Sequence, residues 1–318
     1  MTNFVNNDPG VLLGRDQLRS CRLCPRDCGV DRTGPAGGWC RTGDGLPVSS
    51  VCAHRGEEPV ISGRHGIANI FFAHCNLQCV YCQNDQISTN KIPASRFERS
   101  LDAVLDDVEA ILDDGSRRVG FVSPSHCLPQ MRAIIEGLHQ RRRYPVFVYN
   151  TNGYDRPETV RALGRDFSVY LPDMKYLDAT LAGELSGADD YVEVATAALK
   201  AMYEQTGPEI VLDEEGLIVR GMIVRHLVLP GYIENSRLVL RWIAQELSPD
   251  LHISLMSQYH PTPAVSQYPS LGRCLYREEY EEVVNEFERL GFYRGWVQEL
   301  DSPASYRPDF EKDHPFED

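Results

Sequence analysis

A surplus of basic residues is the first thing missing from this chain of 318 residues. Its 32 lysines and arginines face 46 aspartates and glutamates, a formal net charge of -14 at pH 7. Nucleic-acid binding needs a basic face, so no such partner is expected, and an acidic surface repels anions generally. The basic run Arg141-Arg142-Arg143, before Tyr144-Pro145, reads as a solvated helix end, where cations are favoured. Also missing is any apolar run of the roughly eighteen residues that a membrane span needs. Residues 1–9 carry neither a basic nor an apolar leader stretch. A soluble, cytoplasmic protein with no membrane partner is the expectation. No internal repeat or low-complexity segment stands out, and a hydrophobic content of 42% lets the chain bury a large core.

Cysteine, by contrast, is plentiful and clustered. Eight of the ten cysteines lie between Cys21 and Cys82, and such a cluster in a reducing cytosol is more often metal-binding than oxidised. Cys75, Cys79 and Cys82 are spaced C-x3-C-x2-C and follow directly on the apolar run 68–73. A structural zinc closes on four ligands, whereas a [4Fe-4S] cluster held by three thiolates leaves one iron open to a small molecule. Two other readings are a zinc site completed by His74 and three buried core cysteines. The polar Gln83-Asn84-Asp85-Gln86 that follows speaks against the second. Upstream, Cys21, Cys24, Cys28 and Cys40 form a C-x2-C-x3-C-x11-C set with glycines between. It reads as a zinc knuckle, an auxiliary Fe-S site or unmetallated thiols, and the spacing does not choose.

From residue 67 onward, β-rich runs alternate with helical periodicity, the pattern of a parallel sheet built from βα units. Strands are expected at 68–73, 118–123, 145–151, 167–173, 217–229 and 251–258, and helices at 100–112, 128–142, 156–164, 189–206, 236–247 and 277–290. The organisation expected is a Cys-rich segment 1–66 followed by a barrel-like domain 67–318. Sites in such folds gather at the C-terminal ends of the strands, and polar residues do occur at each. They are Ser123 and Ser125, the run Asn150-Thr151-Asn152-Gly153, Asp173 with Lys175, Arg225 with His226, and His260. Plainer roles compete: Ser125 as a helix cap, Asp173 with Lys175 as an ion pair, and His226 and His260 as hydrogen-bonded structural histidines. Glu57 and Glu58 either line the site or tie the N-terminal segment to the barrel by a salt bridge.

The triplet, with Tyr81 just before its last cysteine, resembles the signature of the radical S-adenosylmethionine (SAM) enzymes. The resemblance implies an α/β fold, a partial (β/α)6 TIM-type barrel, with a [4Fe-4S] cluster on Cys75, Cys79 and Cys82 and SAM on its free iron. Reductive cleavage of SAM to a 5'-deoxyadenosyl radical and hydrogen abstraction from a substrate would follow. No residue beyond the cluster ligands is assigned to the chemistry. The superfamily's Gly-Gly-Glu segment is absent, and Ser125 stands in its place. Asn150-Thr151-Asn152-Gly153 and Leu171-Pro172-Asp173-Met174-Lys175 are similar to Asp-Thr-Asn-Gly and Leu-Asp-Leu-Lys of the pyruvate formate-lyase activating enzyme, with Asn150 replacing the first aspartate. By this resemblance Asn84, Ser125, Asn150, Thr151, Asp173 and His260 are the candidates to orient the cofactor. Together with the upstream cysteines and His54-Arg55-Gly56-Glu57-Glu58-Pro59, the layout from about Cys21 to Pro261 resembles the PflX-like branch, homologues of that activating enzyme. Implied partners are a low-potential electron donor such as flavodoxin or ferredoxin, and a protein or peptide substrate such as a glycyl-radical enzyme. Competing functions are a non-catalytic Fe-S electron or cluster carrier and a zinc-stabilised binding module. Neither the charge nor the tail 302–308 points to a substrate.

Overall fold

The computed structural model describes residues 14–34, 36–300, 308–312 and 314–316. Residues 1–9 and tail residues 302–307 lie outside the described residues. Among the described residues, nine strands form one sheet: β1 (Val48–His54), β2 (Ile67–Phe72), β3 (Arg118–Val122), β4 (Val146–Thr151), β5 (Val169–Pro172), β6 (Val211–Leu212), β7 (Ile218–Leu227), β8 (His252–Met256) and β9 (Gly295–Val297). Their order is β1-β2-β3-β4-β5-β7-β8-β9, with β6 attached to β7. Neighbours from β2 to β9 pair in parallel, while β1 runs antiparallel to β2 and β6 antiparallel to β7. The mixed α/β fold with a parallel sheet is therefore the expected one, and the six anticipated strands are β2, β3, β4, β5, β7 and β8. All residues of β2, β3 and β5 are buried, as parallel strands covered on both faces must be.

Three strands and one helix depart from the sequence reading. The β1 stretch Val48-Ser-Ser-Val-Cys-Ala-His has neither an apolar run nor clean alternation; its strand exists through pairing with β2, from Val48 opposite Phe72 to His54 opposite Ile67. The short β6 and β9 likewise depend on strands already formed. The main helices are α1 (Leu101–Asp113), α2 (Leu128–Gln140), α3 (Pro157–Leu163), α4 (Ala179–Ser186), α5 (Tyr191–Thr206), α6 (Ile233–Glu246) and α7 (Arg277–Arg289). Of these, α4 was not anticipated, being two turns long with a glycine inside, too short for periodicity to declare itself.

Helix α1 starts where Ser100 Oγ accepts from Ala103 N at 3.2 Å, a side-chain cap, and buries Val104, Leu105 and Val108. The basic run just beyond α2 folds onto the acidic face of α1. Arg141 reaches Asp102, Asp106 and Glu109 at 2.9, 2.6 and 2.8 Å, and Arg143 reaches Glu109 and Asp113 at 3.0 and 2.7 Å. These two cations serve helix pairing rather than an anionic ligand. Among the described residues, no helix is long and apolar enough to cross a membrane.

Candidate active site

The chain leaves β2 through His74, whose φ of 67° is uncommon for a side chain of this kind. The turn is held from both sides, Nδ1 facing Cys40 O and Nε2 facing Ile92 O, each at 2.7 Å. The cysteine loop begins there. Cys75 is buried, and Cys79 and Cys82 are half-buried. Each sulfur faces hydrogen-bond donors. Cys75 Sγ accepts from Leu77 N at 3.4 Å and Asn152 Nδ2 at 3.3 Å; Cys79 Sγ accepts from Ser186 Oγ at 2.9 Å; Cys82 Sγ accepts from Ser88 Oγ at 3.2 Å. The loop backbone is tied to the end of α4, Val80 N donating to Leu185 O at 2.8 Å and Gln78 N to Ser186 O at 3.3 Å. Beneath it, Tyr81, Tyr176 and Ser186 share a hydroxyl chain with steps of 2.5 and 2.7 Å.

The ends of the parallel strands surround this loop. From β4, Asn152 bonds both Cys75 and Asn76 Oδ1. Gly153 closes the same turn at φ 80°, and a Cβ there would stand 2.3 Å from Asp173 O, so only glycine lets the β4 and β5 ends approach this closely. After β5, Lys175 Nζ meets Asp173 Oδ2 at 2.6 Å beside the Cys79 sulfur. Although burial opposes its charge, Asp173 and Cys79 raise the Lys175 pKa well above the usual lysine value. Asn84 caps the one-turn helix Asp85–Ser88 and turns its backbone N–H toward Cys82. Beyond β8, the His260 carbonyl accepts from Gln83 Nε2 at 3.1 Å. Asn150 lies in β4 between Val122 and Leu171. Two candidates lie elsewhere: Thr151 Oγ1 donates to the buried Asp155 carboxyl, joined by Tyr149 Oη at 2.8 Å, while Ser125 Oγ is buried with no hydrogen-bond partner among the described residues. Burial raises the pKa of Asp155. Ser125 does not cap α2, whose N-cap is Cys127.

Two sequence alternatives are settled by contacts. Arg225 bonds the carboxylates of both Glu57 and Glu58, at 2.6 Å to Glu58, which is the salt bridge between the N-terminal segment and the barrel. His226 is a structural histidine: its Nδ1 donates to Met174 O at 2.7 Å and its Nε2 accepts from Ser236 Oγ at 2.9 Å.

Burial lowers the pKa of His226 to about 4 and that of His126 to about 3. Unfolded, both would titrate near 6.5. With folded values depressed, the unfolded chain takes up protons first, so stability is full above about pH 6.5 and declines as pH falls toward 4. For His226 alone the shift is worth about 3 kcal/mol over that window. Urea unfolding at pH 7.5 and pH 5 is expected to show the loss; midpoints that coincide would contradict neutral, buried imidazoles.

The radical SAM superfamily profile matches residues 69–212, a span that begins in β2 and contains the cysteine loop and the ends of β3, β4 and β5. Residues 69–212 are thus similar to a radical SAM domain. An uncharacterized protein of Methanocaldococcus jannaschii, MJ0674, is 26% identical over 286 residues, covering 89% of this chain and 78% of that one. Solved structures of SuiB from Streptococcus suis are also similar. The one bound to S-adenosylmethionine has a TM-score of 0.47 at 14% identity, covering 71% of this chain and 48% of SuiB. The one bound to precursor peptide SuiA has a TM-score of 0.45 at 14% identity, covering 76% and 52%. The chain thus spans about half the length of SuiB.

The cofactors of a radical SAM domain are a [4Fe-4S] cluster and SAM, and the donor set on the loop fits the cluster: three thiols on one turn, each sulfur met by an N–H or O–H. Such hydrogen bonds tune cluster potentials. Among the described residues, no three His, Cys, Asp or Glu side chains are drawn together tightly enough to hold a single metal ion. Sequence reasoning missed Asn152, Ser186 and Ser88 as sulfur donors. Asn152 was within reach, since it sits in the quoted Asn-Thr-Asn-Gly segment; Ser186, 107 residues from Cys79, carried no local signal.

Proposed function

We propose that this chain is a radical SAM enzyme of the PflX-like branch, in which Cys75, Cys79 and Cys82 hold a [4Fe-4S] cluster through three of its irons. When bound, the cluster supplies the electron that cleaves SAM reductively to a 5'-deoxyadenosyl radical, which takes a hydrogen from the substrate. The observation carrying this reading is the loop at the end of β2, which carries all three thiols and where every sulfur faces a hydrogen-bond donor. The protein's own part is to position and shield. Asn152, Ser186 and Ser88 orient the thiolates, and the Lys175 ammonium sets positive charge beside Cys79. Asn84, Ser125, Asn150, Asp173 and His260 are the residues proposed to orient SAM, with Thr151 acting from behind them through Asp155.

The Cys-rich segment 1–66 and the barrel 67–318 form the two proposed divisions of a cytoplasmic protein. Electrons would come from a low-potential flavodoxin or ferredoxin, and a peptide, or a glycine of a partner enzyme, is the proposed class of substrate. Anaerobically reconstituted protein given dithionite and SAM is expected to release 5'-deoxyadenosine. A fully loaded cluster that yields none would leave an electron or cluster carrier as the function.

A further inference from the structure

The four upstream cysteines are not used by this reading, yet they share one cavity. Cys21, Cys24, Cys28 and Cys40 line it with Arg26, Arg32, Trp39 and His126. Tight local turns make this possible. Cys21 N donates to Val30 O at 2.8 Å and Gly29 N to Cys21 O at 2.9 Å, which folds residues 21–30 back on themselves. Gly37 and Thr42 then pair as an isolated bridge that returns Cys40 to the same place. Between them Gly38 has a φ of 70°, and a Cβ on it would lie 3.2 Å from Cys28 Sγ, so a glycine is required where the two turns close.

Each of the four sulfurs meets a donor, as at the Cys75 loop. Arg32 Nη1 lies 3.5 Å from Cys21 Sγ, Trp39 N is 3.4 Å from Cys28 Sγ, Thr42 Oγ1 is 2.8 Å from Cys40 Sγ, and the Arg26 backbone N–H faces Cys24. Charge supplies an independent observation. Arg32 is 1% exposed, and its guanidinium bonds the carbonyls of Thr42, His126 and Gly43 and the Cys21 sulfur, with the buried Cys127 thiol also beside it. No carboxylate among the described residues pairs with it. Arg26, stacked 3.8 Å over Trp39, has a buried Nη2 with no hydrogen-bond partner. A buried cation lacking an anion is strongly unfavourable, and a metal–thiolate group of net negative charge would satisfy Arg32, with the half-buried Arg26 at its edge.

Four thiolates can close on a zinc ion or on an iron–sulfur cluster, and a donor on every sulfur is the feature shared with the Cys75 loop. We infer that Cys21, Cys24, Cys28 and Cys40 hold a second iron–sulfur cluster, closed by four protein thiolates. It would sit directly behind the first: Cys40 O accepts from His74 Nδ1, Trp39 O accepts from Asn90 Nδ2, and Asn90 Oδ1 in turn accepts from Cys75 N at 3.2 Å.

The test uses the full chain carrying Cys75→Ala, Cys79→Ala and Cys82→Ala, reconstituted anaerobically with iron and sulfide. Roughly four irons and four sulfides per chain are expected to remain, against about eight of each in the unaltered protein, with an electron paramagnetic resonance signal after dithionite reduction. Adding Cys28→Ser, an exposed position whose change spares the core, is expected to remove at least a quarter of that iron; Cys40→Ser should remove it all. One zinc per chain without sulfide, or no metal at all, overturns the inference, as does iron content indifferent to Cys28→Ser and Cys40→Ser. Iron that the triple alanine change leaves undiminished would count instead against the Cys75 loop.

Discussion

Cys79→Ala is expected to bring 5'-deoxyadenosine release down to the background of cluster-free protein, a loss of at least about a thousandfold, or some 4 kcal/mol of barrier. With three protein thiolates and no spare, the cluster loses a third of its anchorage when one goes, and the carboxylate near Cys79, Asp173, is already paired with Lys175. Lys175 and Ser186 would then face a methyl group, the amine beside Cys79 keeping only Asp173 as its partner. Ser186→Ala makes the contrasting measurement. It deletes one O–H donor at 2.9 Å from Cys79 Sγ and leaves the ligands intact, so iron content should hold while the cluster's reduction potential falls. Equal loss of iron in both variants would mean that the loop's packing, and not thiolate ligation, governs loading. The readouts are iron and sulfide per chain, and 5'-deoxyadenosine by chromatography under anaerobic conditions.

Arg225→Met is expected to destabilise the protein by about 3–5 kcal/mol, the cost of leaving buried charges without their partner. The side chains of Glu57 and Glu58 are 8% and 5% exposed and that of Arg225 12%, so water cannot take over. Burial alone would raise the Glu57 pKa, but Arg225 and His54 hold it well below the usual carboxylate range. A depressed carboxylate stabilises the fold above its unfolded pKa and loses that contribution as pH falls. The gap between Arg225→Met and the unaltered protein is therefore expected to narrow in acid, as measured by urea unfolding at pH 7.5 and pH 4. Arg15 supplies the control. Its pair with Asp44 has side chains 72% and 44% exposed, and Arg15→Ala should change stability by less than about 1 kcal/mol. Comparable losses from the two variants would remove the case for a buried triad joining the segment before β2 to β7.

Much of the fold was legible because its signals are local. The buried apolar run of β2 and the amphipathic spacing of α1 reveal themselves within a dozen residues. Shorter elements were hidden: β1 carries serines at positions 49 and 50 and is a strand because β2 lies beside it, and α4 spans only Ala179–Ser186. At the site, the polar strand ends were visible as residue types, but their partners were not. Thr151 goes to Asp155, whereas Asn152, the next residue along the same turn, goes to Cys75.

By itself the sequence determined the ligand inventory, three thiols after one strand and four upstream, together with the alternation that makes a parallel sheet and places polar residues at its C-terminal edge. These depend on covalent spacing and short-range periodicity. Only the tertiary structure decided what each sulfur faces. The donors to Cys75 and Cys79 come from 77 and 107 residues away, and Arg32, without a carboxylate, acquires meaning only once burial has removed water from it. Hydrogen bonding and desolvation are set by neighbours in space, and no pattern along the chain records them.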